Sequence, residues 1–127
     1  MKLKNVMIVV KDIERSKQFY KKLFGLDVVL EQEGNVILTE GLVLQEAKIW
    51  ENTINQKVQF QNHAMELYFE ERNFTEFLEK LEHYEETVRY AGPVTEYSWG
   101  KKILRMYDPD GTLICLLYTS DAADDKA

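Results

Sequence analysis

Cysteine and histidine are scarce in this chain of 127 residues, which contains a single cysteine and two histidines. The single Cys115 excludes an internal disulfide framework and also excludes a zinc site built from thiolates. His63 and His83 do not form a cluster with Cys115 at the spacing of metal ligands. A chain without disulfides is typical of a reducing compartment, so we expect a cytoplasmic protein.

The chain also lacks a surplus of positive charge and long apolar runs. There are 16 lysine and arginine residues against 22 aspartate and glutamate residues, which gives a net charge of −6. This surplus repels the phosphates of nucleic acids. No apolar run approaches the ~18–20 residues of a membrane span, and residues 1–11 lack the cleavage site of a signal peptide. With 45% hydrophobic residues the chain has enough apolar material for a core, so we expect one folded domain without a nucleic-acid or membrane partner.

The first half of the chain predicts the order β-α-β-β-β. A β-branched strand over Leu3–Val10 is followed by Asp12, a candidate helix N-cap, and by a helical pattern that ends at Gly25. Turn residues then separate three further strand-like segments, predicted over Leu26–Glu31, Asn35–Thr39 and Leu42–Ile49.

The same order recurs after a shift of about 61 residues. A strand over Met65–Phe69 precedes Asn73, an N-cap with Glu76 at the position of a capping box. Residues 108–111 (Asp-Pro-Asp-Gly) form a strong hairpin signal. The remaining strands are predicted over Thr87–Tyr90, Lys101–Tyr107 and Thr112–Leu117. Between the halves, residues 50–62 are polar and indicate a linker with at most one helical turn. We therefore predict one domain over residues 1–118, with modules at 1–50 and 63–118, and a tail at 119–127.

Several of these segments resemble the glyoxalase/bleomycin-resistance/dioxygenase superfamily, also called vicinal oxygen chelate proteins. The stretch VVKDIERSKQFY at residues 9–20, followed by LFGL at 23–26, resembles the opening of that family. The turn at 108–111 followed by Leu113 and Ile114 resembles its closing hairpin, and the strand at 66–70 stands where the second module opens. The resemblance covers nearly the whole chain. It implies an α+β fold of two βαβββ modules whose sheets curl into a cup for a small molecule.

The resemblance also implies four positions for ligands of a divalent metal such as nickel, zinc, manganese or magnesium. In this chain they are occupied by Asn5, Gln45, Glu66 and Cys115. Asn and Gln offer only neutral carbonyl oxygens, which are weak ligands, and neither supplies an imidazole. Glu66 alone keeps an anionic ligand, so the ligand set is degraded.

Strand alternation indicates which side chains are available for chemistry. Glu66 and Tyr68 face away from Leu67 and Phe69 in the predicted fifth strand. A carboxylate in a partly apolar cup is a candidate general base, although Glu66 is equally consistent with a solvated edge residue. Four residues are candidates for binding a substrate, by stacking of an aromatic ring or by charge: Trp50, Tyr68, Trp99 and Arg105. The tryptophans are also consistent with capping the ends of the barrel, and Arg105 with simply pairing to Glu66 or Glu70.

The C-terminal segment from Cys115 to Asp124 resembles a translated sequencing adapter of the transposase type. This resemblance predicts that the natural chain continues differently after Ile114 and that a family glutamate belongs in the position of Cys115. The alternative is a disordered acidic tail from Thr119.

Two functions remain open at the level of the sequence. The first is a metal-assisted lyase or isomerase, similar to lactoylglutathione lyase, with Glu66 as ligand or base. The second is a metal-free protein that sequesters an aromatic or cationic compound, as drug-resistance members of the family do. The degraded ligand set favours the second. We also expect a homodimer, because the open edges of a cup expose strands that a partner covers.

Overall fold

A strand–helix–strand–strand–strand order occurs in each half of the computed structural model, with one additional short strand in the second half; the structure describes residues 1–97 and 100–119. The first unit comprises residues 1–60, and the second begins at residue 61. None of the helices in the described ranges is long and apolar enough to cross a membrane.

The first unit is a four-stranded sheet with two helices. Its strands lie in the order β1-β4-β3-β2, with β1 and β4 parallel and the other pairs antiparallel. Its elements are β1 (Val6–Val10), α1 (Ile13–Phe24), β2 (Val28–Gln32), β3 (Asn35–Leu38), β4 (Leu42–Glu46) and α2 (Ala47–Ile54).

The second unit repeats this topology with the strand order β5-β9-β8-β6, in which β5 and β9 are parallel. A further short strand, β7, pairs with β8 and was not predicted from the sequence. The elements are β5 (Glu66–Glu71), α3 (Phe74–His83), β6 (Arg89–Tyr90), β7 (Thr95–Tyr97), β8 (Lys101–Tyr107) and β9 (Leu113–Tyr118). The predicted α+β class and the repeated βαβββ order are confirmed.

The predicted caps position the first helix of each unit. The Asp12 carboxylate accepts a hydrogen bond from the Arg15 amide at 3.1 Å, and Gly25 ends α1 in the left-handed region. Asn73 accepts from the Glu76 amide and donates to the Glu76 carboxylate, both at 3.0 Å. Each cap contributes about 1 kcal/mol to helix stability.

The segment between the halves differs from the prediction. The strand expected over Leu42–Ile49 ends at Glu46, and residues 47–54, part of which was interpreted as linker, form α2. The cause is Glu46, whose carboxylate accepts hydrogen bonds from the amides of Lys48 and Ile49 at 2.8 and 3.1 Å. Glutamate is not among the usual N-cap residues, so the pattern gave no start signal for this helix.

In each unit a helix covers one face of the sheet. In the first unit, Lys17 of α1 reaches Glu31 of β2 at 2.7 Å, and the residues on the same face as Glu31 include the fully buried Leu44. In the second unit, Phe74 of α3 stacks on Tyr118 of β9 with ring centroids 5.1 Å apart. Because alternate strand residues point to opposite sides, the intervening residues define a second face in each sheet, which lies away from α1 or α3.

The turn at residues 108–111 fixes the register of β8 against β9. The Asp108 carboxylate accepts from the amides of Asp110 and Thr112 at 2.9 Å each, and the Gly111 amide donates to the Asp108 carbonyl at 3.0 Å. Tyr107 therefore pairs with Leu113, and Arg105, which stands two residues before Tyr107 on the same face of β8, pairs with Cys115. This register decides which side chains of the second unit share a face.

Candidate functional site

The sheet face of the second unit that lies away from α3 carries charged and aromatic side chains. One row across the strands joins Arg89, Tyr107, Leu113 and Glu66, and the next joins Arg105, Cys115 and Tyr68. Residues paired in this way on neighbouring strands lie on the same side of the sheet. We call the polar face the set of five residues Glu66, Tyr68, Arg89, Arg105 and Tyr107.

An ion pair lies at the centre of the polar face. The Arg105 Nε donates to the Glu66 carboxylate at 2.8 Å, and the two side chains are 44% and 22% exposed. The two residues stand on β8 and β5, which flank β9, so the long arginine side chain spans about 10 Å of sheet. The Glu66 carboxylate raises the pKa of Arg105 above its ordinary value. The guanidinium is therefore charged throughout the physiological pH range.

Tyr68 lies beside this pair and is 60% exposed. A hydrogen bond to the Cys115 side chain raises the pKa of the Tyr68 hydroxyl. Burial raises the pKa of the Cys115 thiol, which is inaccessible to solvent. Burial and the raised pKa both disfavour the thiolate form of Cys115, which makes it a poor nucleophile.

A second cation on the polar face was missed by the sequence analysis. The Arg89 guanidinium lies over the Tyr107 ring, 5.1 Å from its centroid, and the His63 ring approaches the same tyrosine at 6.2 Å. Both terminal nitrogens of Arg89 are 3.4 Å from the Gln61 side-chain oxygen. Alternation along β8 could have predicted the place of Tyr107, because Tyr107 stands two residues after Arg105 and must lie on the same face of the sheet. The pairing of Arg89 with Tyr107 depends on strand register, which the sequence did not reveal.

The first unit presents a different surface on the corresponding face of its own sheet. Gln45 is buried and accepts a hydrogen bond from the Asn35 side chain at 2.8 Å, while its own amide nitrogen is 3.4 Å from the Glu46 carbonyl oxygen. Asn5 lies beside Gly41, four residues before Gln45 in β4. That spacing separates Asn5 from Gln45 by about 13 Å along the strands. The spacing concerns the backbone, and the convergence of these two side chains on one metal ion stays a prediction.

The predicted donor set does not fit a divalent metal. The Gln45 oxygen accepts a hydrogen bond from Asn35, the Glu66 carboxylate accepts one from Arg105, and the Cys115 side chain is buried. Across residues 1–97 and 100–119, no group of three or more His, Cys, Asp or Glu side chains is arranged to hold a metal ion. Hard cations are held by several carboxylate or carbonyl oxygens together, which this arrangement does not supply.

The remaining sequence candidates lie away from the polar face or outside the described residues. Trp50 is half-buried within α2 of the first unit. Trp99 lies outside the described residues, as do residues 120–127 of the predicted tail. His83 is the last residue of α3, where its Nδ1 is 2.9 Å from the Glu79 carbonyl oxygen.

Comparison with known proteins gives the following matches. A family model described as a glyoxalase-like domain matches residues 3–117. A protein of unknown function from Agrobacterium tumefaciens is 27% identical, with a TM-score of 0.78 and coverage of 94% of each chain. A glyoxalase-related enzyme from Fulvimarina pelagi is 19% identical, with a TM-score of 0.76 and coverage of 93% of this chain and 88% of that one.

A glyoxalase/bleomycin resistance protein/dioxygenase from Nocardioides is 16% identical, with a TM-score of 0.71 and coverage of 95% of this chain and 85% of that one. At these two lower identities the likeness concerns the fold alone. No protein with a curated functional description matches the chain.

Proposed function

The chain belongs to the family of glyoxalase-like domains, and from this premise we propose that it binds a small organic molecule on the polar face of its second unit, held by side chains and not by a metal ion. The ligand lies against the sheet between β5 and β6, where Tyr68 and Arg89 are exposed.

The contact between Glu66 and Arg105 is the observation that carries this proposal. Glu66 is the only carboxylate among the predicted metal ligands, and the guanidinium occupies the place beside it that a cation would take. The contacts described for Arg105 use its Nε alone, so the N–H groups on its two terminal nitrogens are left for a ligand. A fixed guanidinium offers directed hydrogen bonds to oxygen atoms, which is the task that a metal performs in a chelate.

Exposed aromatic surface supports the same function. The Tyr68 ring borders the ion pair on one side and the Tyr107 ring carries Arg89 on the other. Aromatic rings offer a flat ligand a large contact area with little loss of side-chain freedom. The polar face thus combines apolar area with a few placed polar groups, as small-molecule sites do.

The test is a titration of isotope-labelled protein, treated with EDTA, with four small probes: benzoate, phenyl phosphate, benzamide and benzylamine. We expect at least one probe to give saturable shifts of NMR signals from β5, β6 and β8, and we expect Arg105→Gln to weaken them. Lys57→Gln, which removes an equal charge at an exposed position in the first unit, is the matched control. Absence of saturable shifts with all four probes, or shifts that Arg105→Gln leaves unchanged, would overturn the proposal.

A metal-assisted lyase or isomerase makes the opposite prediction for metal ions. It requires Glu66 to release Arg105 and bind the metal. We expect negligible heat when Mn²⁺ or Ni²⁺ is titrated into the protein, since one carboxylate alone is a weak site. Tight binding of either ion by the unmodified chain would favour the enzyme and count against the metal-free function.

A further inference from the structure

We propose that Arg89, which lies over the Tyr107 ring and is adjacent to Arg105, binds the acidic group of a planar organic anion, and that the Asp108–Gly111 turn holds Arg89 in place through Gln61. This inference rests on the proposed function and assigns the chemical class of its ligand.

The strand register places the two guanidinium groups as neighbours. Arg89 pairs directly with Tyr107 across β6 and β8, and Arg105 stands two residues before Tyr107 on the same face. Arg89 and Arg105 are therefore diagonal neighbours, with Cα atoms about 7–8 Å apart. Two cations flank one aromatic ring at this end of the polar face.

The two arginines differ in whether a carboxylate balances their charge. Arg105 is paired with Glu66, whereas the contacts described for Arg89 are all to neutral groups, the Tyr107 ring and the Gln61 side-chain oxygen. Within the described residues, one guanidinium of the pair thus lacks a carboxylate partner. A cation–ring contact contributes only about 0.5–1 kcal/mol at an exposed site, so it does not replace an anion.

The contact with Tyr107 leaves Arg89 able to bind an oxyanion. The attraction between a cation and a ring is electrostatic and does not require hydrogen bonds from the guanidinium N–H groups. The two contacts to the Gln61 oxygen are 3.4 Å long, well beyond the 2.7–2.9 Å of a charge-assisted hydrogen bond. A carboxylate or phosphate oxygen pair forms shorter and stronger bonds to the same edge.

The backbone conformation around Gln61 indicates that the position of its side chain beside Arg89 is fixed by the fold. Gln61 and His63 both have positive φ angles, 51° and 58°, which non-glycine residues adopt at a cost of about 1–3 kcal/mol. The turn reaches the same point, because a Cβ atom on Gly111 would lie 2.7 Å from the Gln61 Cβ. Gly111 also has a φ of 89°. Only glycine allows the turn to approach Gln61 this closely, and Gln61 in turn contacts Arg89.

These features select the class of ligand. Arg89, the guanidinium without a described carboxylate partner, attracts an oxyanion and repels an amine, and the Tyr107 and Tyr68 rings favour a flat ligand. A carboxylate and a phosphate ester share the required chemistry, and the four probes separate them. We expect benzoate or phenyl phosphate to bind at least ~10-fold more tightly than benzamide or benzylamine, because hydrogen bonds to charged groups contribute about 1.5–3 kcal/mol.

The decisive experiment compares the affinity of the tighter anionic probe for five variants: Arg89→Gln, Arg89→Lys, Tyr107→Leu, Gly111→Ala and Lys57→Gln. We expect a loss of ~10-fold or more for Arg89→Gln, and a smaller loss for Arg89→Lys because lysine cannot form the bidentate contact. Tyr107→Leu removes the ring that orients Arg89, and Gly111→Ala pushes Gln61 away, so both should weaken binding several-fold. Lys57→Gln should bind as the unmodified chain does. Thermal denaturation of each variant separates lost binding from lost folding.

The outcomes distinguish this inference from the proposed function. Preferential binding of benzamide or benzylamine on the polar face would keep the proposed function and overturn the anion class. Unchanged affinity of a folded Arg89→Gln protein would overturn the role of Arg89 while Arg105 remained the anchor. Absence of binding by every probe would overturn both.

Discussion

The two units share one topology and differ in the chemistry of corresponding sheet faces. In the first unit, the face away from α1 carries apolar side chains such as Met7 and Val43 and the neutral pair of Asn35 and Gln45. In the second, the face away from α3 carries the pair of Glu66 and Arg105 and a second arginine stacked on a tyrosine. Strand order and register determine which residues share a face, but they leave the chemistry of that face free. The same strand topology therefore carries a neutral, partly buried face in the first unit and a charged, partly exposed face in the second.

The largest expected effects lie on the helix-covered faces, where the two units should behave alike. Leu44 in the first unit and Met106 in the second are both fully buried. Replacing either by alanine should lower the free energy of unfolding by about 2–5 kcal/mol, through lost transfer energy and a residual cavity. Urea denaturation measures this loss, and Met7→Ala on the other face should cost less because Met7 is only half-buried. A loss below ~1 kcal/mol for Leu44→Ala or Met106→Ala would contradict the assignment of these faces.

The two polar pairs should differ in their contribution to stability. Asn35→Ala leaves the buried Gln45 oxygen without its described partner, which should cost about 1–3 kcal/mol. Glu66→Gln breaks a partly exposed ion pair, and exposed pairs contribute only about 0–1 kcal/mol. The same denaturation measurements give both values. If Glu66→Gln proved the more destabilising, the ion pair would be a structural element more than part of a binding site.

The smallest expected effect is a difference between the ion pairs of the two units in how their contribution to stability depends on pH. Hydrogen bonds to Glu31 and Glu14 raise the pKa of Lys17 above 10.5. A raised pKa means that the folded state holds the proton more tightly, so the stabilisation is complete below pH 10.5 and is lost as the pH rises through the raised value. The pair in the second unit should persist over this range, because arginine does not titrate there.

Lys17→Met and Arg105→Met test this difference by thermal denaturation from neutral to alkaline pH. The deficit of Lys17→Met should disappear at the alkaline end, while any deficit of Arg105→Met should remain. A deficit of Lys17→Met that does not change with pH would mean that its packing matters more than its charge.

Local signals predicted much of the fold. The caps at Asp12 and Asn73 form as expected, and β8 has both of its predicted boundaries, because these features depend on neighbouring residues. α2 was missed because its cap is a glutamate, and β7 because three residues are too few to show alternation. Both segments depend on contacts that their own sequences do not indicate: a glutamate cap for α2 and pairing with β8 for β7.

The candidate site was only partly predictable for a related reason. Alternation within β5 placed Glu66 and Tyr68 on one face, and a pairing of Arg105 with Glu66 or Glu70 was foreseen; the structure selects Glu66. Arg89 joins the site through pairing between β6 and β8, which depends on long-range register. The expected convergence of metal ligands came from the family resemblance and stays a prediction; in the first unit the strand register places Asn5 four residues before the partner of Gln45.

The most direct test of the central claim is the affinity for the tighter anionic probe measured by calorimetry with EDTA and again with excess Ni²⁺ or Mn²⁺. The account predicts equal affinity in all three conditions, because Arg89 and Arg105 supply the hydrogen bonds and Glu66 stays paired. Binding that appears only when one of the metals is added would contradict it.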